Sequence, residues 1–387
     1  MTGCAMKGLA LVKLGRARVW LWAFGASLAF VVAPYARANG PHGASAEVAA
    51  VTEEPRSTAT PTVVGSPVRA GEDPLGGIAL RSSSDRIADL VVIVSIDGLR
   101  PDALGPGTPT MNMLQRTGVS AVHAWTIDLS TTLPSHASMV SGVDTDLHHI
   151  TINSNRDEAG IIAYPTIFRI ARGAGLETSM FVGKRKLQRL IDEGGAERFE
   201  FGGVFCENVA RRVVAYLPGA RRGVVFVHFA DVDRAGHLRG WMSRVYHEAV
   251  VHADQCTGDI VRALRERGSL DRTLLIVTSD HGGHGRSHGT RLEVDRRIPW
   301  IAWGGAASRP GLRFTRPVHT MDTAATALDA LGLPHARGMT GRPIREALRH
   351  PREATDGATT ERHARAGTRG APRVAAPART PAPDPAQ

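Results

Sequence analysis

Cysteine and aromatic residues are scarce in this chain: among 387 residues there are three cysteines, and aromatic residues make up only 5 %. Cys4 lies in the N-terminal segment, so Cys206 and Cys256 are the only pair left for a disulfide. The sequence leaves a disulfide and two buried free thiols equally open. Long apolar runs are also missing, and the run at residues 19–33 is too short to predict a membrane span.

Residues 1–38 have the layout of a secretory signal peptide. Basic residues precede the apolar run, and Ala36-Arg37-Ala38 provides a small-x-small cleavage pattern. We therefore expect export to a periplasmic or extracellular location, with no stable membrane span after cleavage. An uncleaved N-terminal anchor is the alternative. An oxidising compartment would permit the disulfide.

The net charge of +10 invites a nucleic-acid interpretation. Much of the excess Lys and Arg lies in the N-terminal segment and in an Arg-rich C-terminal tail, without interleaved aromatic residues that could stack on bases. We therefore expect no specific nucleic-acid partner. The charge indicates targeting and solvation, with non-specific attraction to anionic surfaces or substrates as a minor effect.

Composition divides the chain after the signal peptide into three parts. Residues 39–84 form a low-complexity linker, and residues 351–387 form a tail rich in Ala, Pro and Arg that is predicted to be disordered. Residues 85–350 between them form the predicted catalytic domain. No internal repeat of fixed period is present.

Strand-like and helix-like segments alternate in residues 85–350. Short apolar runs predict strands at residues 90–96, 178–182, 224–229, 274–278 and 300–303. Amphipathic patterns predict helices at residues 110–117, 166–172, 208–217, 244–267 and 321–331. This order predicts an α/β fold with a mostly parallel central sheet and helices on both faces. In such sheets a ligand site lies at the carboxyl ends of the strands.

Several of the predicted strands end in candidate metal ligands. Asp97 follows the first strand, Asp233 and His237 follow the third, and Asp280 and His281 follow the fourth, with His284 and His288 in the same glycine-rich segment. Asp and His together suit a borderline cation such as Zn²⁺. Three carboxylates and three imidazoles would serve two cations, each with three protein ligands and an open position.

Residues 130–139 supply a candidate nucleophile. Pro134 lies two residues after Thr132, which fits the first turn of a helix, so the Thr132 hydroxyl is expected near a helix N-terminus that favours an anion. Coordination to a dication turns a hydroxyl into an effective nucleophile. Ser130 and Thr131 are competing candidates that spacing does not exclude.

Four motifs in this order resemble the alkaline phosphatase superfamily, and its type I phosphodiesterase and nucleotide pyrophosphatase branch most of all. They are Ser95-Ile96-Asp97-Gly98, Thr132-Leu133-Pro134-Ser135-His136, Asp233-x-x-x-His237 and Ser279-Asp280-His281-Gly282. The resemblance covers residues 89–343. It implies an alkaline phosphatase-like α/β core with a Thr nucleophile between two zinc ions, although other divalent cations remain possible.

The same resemblance assigns individual roles. Asp97, Asp280 and His281 resemble the ligands of the zinc that activates Thr132, and Asp233, His237 and His288 resemble those of the second zinc. Asn153 matches an asparagine whose amide donates to a non-bridging phosphoryl oxygen. His284 and His319 are the alternatives to His288 as the last ligand, because the family places that histidine much further along the chain.

The implied activity is hydrolysis of a small-molecule phosphoric ester, with diester or pyrophosphate bonds favoured, through a covalent phosphothreonine. A phosphomonoesterase is the main alternative, phosphonate hydrolysis uses the same core, and a non-catalytic binding module is a further reading. A sulfatase is disfavoured because the segment around Thr132 lacks the C/S-x-P-x-R pattern. Lys184 and Arg185 are interpreted as the start of a solvated helix rather than as phosphate contacts. The oligomeric state stays open.

Overall fold

The computed structural model describes residues 86–192 and 194–349. The predicted signal peptide, linker and tail lie outside these residues, so they stay predictions. In the part of the chain that the structure describes, no helix is long and apolar enough to cross a membrane.

Eleven strands are present in the described residues, and all five predicted strands are among them. In chain order they are β1 (Leu90–Ile96), β2 (Val119–Ala121), β3 (Ala124–Trp125), β4 (Glu177–Val182), β5 (Arg198–Phe201), β6 (Gly223–Phe229), β7 (Thr273–Thr278), β8 (Arg297–Ile298), β9 (Trp300–Trp303), β10 (Leu312–Phe314) and β11 (Val318–His319). Eight of them form a central sheet in the order β10-β2-β9-β7-β1-β6-β4-β5, and β11-β3-β8 form a small second sheet.

The central sheet is mostly parallel, as predicted. β7, β1, β6, β4 and β5 run parallel to one another, whereas β9 runs antiparallel to both β7 and β2. Every residue of β1, β6 and β7 is buried. A strand that is covered on both faces can be apolar at every position, which explains why these runs are continuous rather than alternating.

Helices cover both faces of this sheet. They are α1 (Pro109–Thr117), α2 (Thr132–Ser141), α3 (Thr145–His148), α4 (Ile167–Gly173), α5 (Cys206–Tyr216), α6 (Asp231–Arg239), α7 (Arg244–Glu266), α8 (Glu293–Arg296) and α9 (Asp322–Leu331). Successive side chains of β1 divide between two cores: Val91 and Ile93 pack with residues of α2, α4 and α9, whereas Val92 and Val94 pack with residues of α1, α5 and α7. The predicted fold class is therefore confirmed.

Two local features go beyond the sequence prediction. The helix α6 begins at Asp231 and carries Asp233 and His237 one turn apart. The sequence had predicted only the end of a strand before these residues, and no helix. Cys206, at the start of α5, forms a disulfide with Cys256 of α7. The sequence had left a disulfide and two free thiols equally open, and the structure has the disulfide. The bonded cysteines offer no free thiolate to bind a metal.

Candidate active site

The candidate metal ligands come from the carboxyl ends of three neighbouring strands. β1 lies between β6 and β7, and the three strands run parallel. Asp97 directly follows β1, Asp280 and His281 follow β7 after Ser279, and Asp233 lies in α6 just beyond β6. The edge of the sheet where parallel strands end thus brings residues together that are up to 184 positions apart in the sequence, from 97 to 281.

Asp97, Asp280 and His281 form a first cluster, called here the buried group. Their ligand atoms lie within 4.8 Å of one another, and all three side chains are fully buried. The Nε2 atom of His281 lies 3.4 Å from Asp97 Oδ1 and 3.3 Å from Asp280 Oδ2. The other oxygen of Asp280 accepts hydrogen bonds from the backbone N–H groups of Gly98 and His281, at 3.1 and 3.0 Å. The backbone thus fixes the direction of this carboxylate.

Asp233, His237 and His288 form a second cluster, called here the open group. Asp233 Oδ1 lies 3.3 Å from His237 Nε2 and 3.5 Å from His288 Nε2. The side chain of His237 is 46 % exposed, whereas those of Asp233 and His288 are 5 % and 7 % exposed. The rings of His281 and His288 stack at 3.7 Å between centroids, so the two groups are neighbours.

All three histidines present the same nitrogen to their group. The Nδ1–H groups of His281, His237 and His288 donate to the backbone carbonyls of Gly282, Arg286 and Ser130, at 2.8, 3.0 and 3.0 Å. A carbonyl can only accept, so each Nε2 carries the lone pair, as in a metal-binding imidazole. Burial lowers the pKa of His281, and burial together with His281 lowers the pKa of His288 to about 4, so both rings stay neutral.

The structure distinguishes the three candidates for the last histidine. His288 lies in the open group. His284 instead donates its Nδ1–H to Asp295 Oδ1 at 2.7 Å. His319 is exposed in β11 and belongs to neither cluster of the described residues.

Four buried atoms of these groups have no hydrogen-bond partner in the described part of the chain. They are Asp97 Oδ1, Asp233 Oδ1, Asp280 Oδ2 and His281 Nε2. Each is a lone-pair donor, and an unsatisfied buried lone pair is costly unless a cation or proton meets it. Sets of two carboxylates with one imidazole, and of one carboxylate with two imidazoles, fit divalent cations such as Zn²⁺. Burial and the neighbouring Asp97 raise the pKa of the Asp280 carboxyl to about 7.

Thr132 is the first residue of α2 and is fully buried. Its Oγ1 lies 3.2 Å from the Nζ atom of Lys184. Ser130, one of the competing nucleophiles, donates its hydroxyl to the carbonyl of Thr290 at 2.8 Å, which turns the hydroxyl toward the backbone. Thr131 is the N-cap residue of α2.

Asn153 lies beside the first turn of α2. Its Oδ1 accepts hydrogen bonds from the backbone N–H of Leu133, at 3.0 Å, and from Lys186 Nζ, at 2.7 Å. With the oxygen held in this way, the side-chain NH₂ is the part of the amide that remains to donate to a ligand.

The interpretation of Lys184 as a solvated residue is wrong. Its Nζ lies 2.7 Å from Asp97 Oδ2 and 2.6 Å from Asp233 Oδ2, between the two groups. Burial would lower the pKa of Lys184, but the charges of Asp97 and Asp233 raise it. The sequence did contain a signal, because Lys184 follows the end of β4 as Asp97 follows the end of β1. Arg185 is exposed, as expected, and lies 4.6 Å from the centre of the Phe201 ring.

Two buried histidines near the buried group were not given roles from the sequence. Nδ1 of His228 accepts from the N–H of Gly183 at 3.3 Å, so its Nε2–H donates to Asp97 Oδ2 at 2.9 Å. His136 donates its Nδ1–H to the carbonyl of Thr132 at 2.7 Å, and its Nε2 accepts from Ser95 at 2.8 Å. They orient the residues that face the site. His228 is the one imidazole in the otherwise apolar strand β6. A polar side chain in a buried strand needs a hydrogen-bond partner, so the sequence did indicate that His228 contacts another polar group.

Known proteins resemble this chain in sequence. The model of the type I phosphodiesterase / nucleotide pyrophosphatase family matches residues 91–164 and 182–297. The human GPI ethanolamine phosphate transferase 2 catalytic subunit is 27 % identical over 289 residues, which are 67 % of this chain and 29 % of that protein. Bis(5'-adenosyl)-triphosphatase enpp4 of Mus musculus is 24 % identical over 238 residues, which are 56 % of this chain and 52 % of that protein. The chain thus spans about half of one of these curated relatives and less than a third of the other.

Solved structures share the fold. Murine ectonucleotide pyrophosphatase / phosphodiesterase 5, solved as an inactive variant with AMP, has a TM-score of 0.58 at 14 % identity, covering 67 % of this chain and 99 % of that one. A phosphonate monoester hydrolase from Silicibacter pomeroyi has a TM-score of 0.53 at 16 % identity, covering 66 % and 76 %. The family match, the shared α/β fold and the order of the site motifs agree with one another. The chain belongs to the type I phosphodiesterase and nucleotide pyrophosphatase family.

Proposed function

We propose that the protein hydrolyses phosphoric esters, with phosphodiester and pyrophosphate bonds favoured, at a centre that binds two zinc ions. The observation that carries the proposal is the pair of three-residue ligand groups beside the Thr132 hydroxyl, with four buried ligand atoms that lack a partner among the described residues. The family match supports the reaction class.

The buried group would hold one cation through Asp97, Asp280 and His281, and the open group the other through Asp233, His237 and His288, with Thr132 as a further ligand of the first. Divalent cations in these places supply positive charge that favours ionisation of a hydroxyl and neutralises the phosphoryl oxygens. Zinc is proposed because both sets mix carboxylate with imidazole, although other divalent cations suit the same ligands.

Thr132 carries the nucleophilic step. Its Oγ forms a bond to phosphorus as the bond from phosphorus to the leaving oxygen breaks, and its hydroxyl proton leaves to solvent. In the second step a water oxygen bonds to phosphorus, the bond from phosphorus to Oγ breaks, and Thr132 recovers a proton. The position of Thr132 at the N-terminus of α2 favours the negative charge of the phosphoryl group, and the NH₂ of Asn153 would donate to one of its oxygens.

A cavity beside Asn153 supports a small anionic substrate. It has a volume of about 400 Å³, and its lining residues are mainly basic or polar with two isoleucines: Asn155, Ile161, Arg185, Lys186, Gln188, Arg189 and Ile191. Lys186 both lines this cavity and contacts Asn153. The relative named bis(5'-adenosyl)-triphosphatase favours pyrophosphate bonds among the candidates.

Phosphomonoester hydrolysis is the second candidate function. The observation that favours it is the pair Lys184 and Lys186, whose ammonium groups lie at Thr132 and Asn153. A monoester carries one more negative charge than a diester near neutral pH, so additional cations beside the phosphoryl site help the monoester more.

We also propose that the protein is exported, with residues 1–38 as the signal peptide and residues 85–350 as the catalytic domain. The disulfide between Cys206 and Cys256 supports an oxidising compartment.

A paired assay tests the function. The purified mature protein is loaded with zinc, its metal content is measured, and the same sample is assayed with an aryl phosphate monoester and an aryl phosphate diester. We expect two ions per chain and faster hydrolysis of the diester. A faster monoester reaction would replace the first proposal with the second candidate.

Two neighbouring variants test the nucleophile. Thr132→Ala should keep the metal and lose at least about 10³-fold in kcat, because the group that bonds to phosphorus is gone. Thr131→Ala is the matched control and should stay within a few-fold of wild type. An unchanged rate in Thr132→Ala would refute the nucleophile assignment, and two bound ions without turnover of any ester in the wild type would indicate a binding module.

A further inference from the structure

The ammonium of Lys184 has no part in the two steps assigned to Thr132, yet it lies between the two groups. Its three neighbours are Asp97 Oδ2 at 2.7 Å, Asp233 Oδ2 at 2.6 Å and Thr132 Oγ1 at 3.2 Å. An ammonium has three N–H donors. One carboxylate from each ligand group and the proposed nucleophile therefore account for all three.

Lys184 does not use the oxygen atoms that a metal would need. Oδ1 of Asp97 and Oδ1 of Asp233 are among the buried atoms without a hydrogen-bond partner in the described residues, and these two atoms face the imidazoles of their groups. Lys184 contacts Oδ2 of each carboxylate instead. The geometry thus allows the lysine and two metal ions to share the same two carboxylates.

The position of Lys184 follows from the close approach of two strand ends. Gly183, between β4 and Lys184, donates its N–H to the carbonyl of His228 in β6 at 3.0 Å. A Cβ atom at position 183 would lie 2.9 Å from the Cβ of Ala230, so only glycine fits without displacement. This contact brings the residue after Gly183 to the end of β6, where α6 with Asp233 begins.

We propose that Lys184 is a further catalytic residue of this site, an inference that rests on the proposed function. Its ammonium donates to Thr132 Oγ while that oxygen bonds to phosphorus, and again when the bond from phosphorus to Oγ breaks. It keeps its three protons in both steps, so no proton transfer is assigned to it. It also holds Asp97 and Asp233 so that their remaining oxygens face the metal positions.

The test compares neutral and charged replacements in the zinc-loaded protein. Lys184→Met and Lys184→Gln should lower kcat on the aryl diester about 10²- to 10³-fold, the usual loss for a donor to a reacting oxygen, with little change in KM. Lys184→Arg should recover at least about tenfold of that loss, because it restores a cationic donor. Arg172→Met, which removes an exposed cation from α4 outside both the site and the cavity, is the control and should stay within about threefold of wild type.

Metal binding gives a second measurement. Titration of zinc into the metal-free wild type and the two neutral variants should show two sites in each, with no gain in affinity after substitution. Tighter zinc binding by the variants with an unchanged kcat would identify Lys184 as a mere competitor of the metal and overturn the proposal.

The remaining outcomes are also decisive. The proposal is overturned if either folded neutral variant keeps kcat within about threefold of wild type, or if Lys184→Arg is no better than Lys184→Met. In both cases the wild type still hydrolyses the diester, so the proposed function stands. A wild type that binds two ions and hydrolyses no ester would overturn both together.

Discussion

The buried group and the open group have similar candidate ligands in different surroundings. Asp97, Asp280 and His281 are fully excluded from solvent, and backbone N–H groups fix Asp280. In the open group the side chain of His237 is 46 % exposed, and two of the three candidate ligands are one helical turn apart in α6. The first group is assembled by a sheet, and the second by a helix and a glycine-rich loop.

The electrostatics of the two groups differ as well. Burial and Asp97 raise the pKa of Asp280 to about 7, whereas His237 and Lys184 overcome the effects of burial and Asp97 and lower the pKa of Asp233 to about 2. The side chains of the buried group are closed to solvent, whereas the open group has a path to solvent through His237. We infer a tightly held ion in the first group and a more exchangeable ion in the second.

The largest expected effect comes from removing one histidine from each group. His281→Ala leaves two buried carboxylates with one ligand fewer, and it should lose the ion of the buried group and at least about 10³-fold in kcat. His237→Ala keeps Asp233 and His288 and admits water to the vacated position, so a loss of about 10- to 100-fold is expected. Metal content and diester hydrolysis are measured on the same samples. Equal losses in the two variants would contradict the comparison.

The same contrast explains what the sequence could predict. Asp97, Asp280 and His281 lie within three residues of the ends of apolar runs, so the strand pattern alone brings them to one edge of the sheet. His237 was assigned to the same edge because it follows the third predicted strand, but its helix was missed because Asp231–Arg239 is short, polar and contains a glycine.

Lys184 and His228 show why the rest could not be predicted. The position of Lys184 depends on how closely the ends of β4 and β6 approach, which is a tertiary contact through Gly183 and Ala230. His228 faces Asp97 because β1 and β6 pair in the register that sets Ser95 opposite His228. Neither the strand order nor this register can be derived from the apolar pattern of a single strand.

A second comparison concerns the last ligand of the open group. His288→Ala should weaken zinc binding in that group about 10- to 100-fold and remove its stacking on His281. His284→Ala is the matched control. It removes an imidazole from the same loop, but the imidazole of His284 contacts Asp295 and belongs to neither ligand group. Zinc titration of both variants checks this. Weaker binding only in His284→Ala would reverse the assignment.

The rates of metal release should distinguish the two groups in the wild-type protein, without any substitution. When a chelator is added to the zinc-loaded protein, we expect two kinetic phases, with the open group losing its ion at least about tenfold faster because one ligand is solvent-exposed. Release is followed by a colorimetric zinc indicator. His237→Ala should accelerate the fast phase and leave the slow phase unchanged. A single phase in the wild type would mean that burial does not distinguish the two ions.

The smallest expected effect concerns Trp241, which supports both groups from outside. Its Nε1–H donates to the carbonyl of Gly98, next to Asp97, at 2.9 Å, and its ring lies edge-on to His237 at 5.1 Å. Trp241→Phe keeps an aromatic ring and removes the hydrogen bond, so it should cost about 1 kcal/mol in unfolding free energy and about two- to threefold in kcat.

The control for this variant is Trp303→Phe, which loses a hydrogen bond of the same kind, from Nε1–H to Thr117 Oγ1 at 3.0 Å, away from both groups. Trp303→Phe should show a similar loss of stability in urea denaturation with an unchanged kcat. If the two variants changed kcat equally, the indole of Trp241 would contribute only to general stability. The ring of Trp241 packs against the rings of His237 and His288, which both belong to the open group. If Trp241→Phe changed only the fast phase of zinc release, this ring would be shown to hold the open group in place.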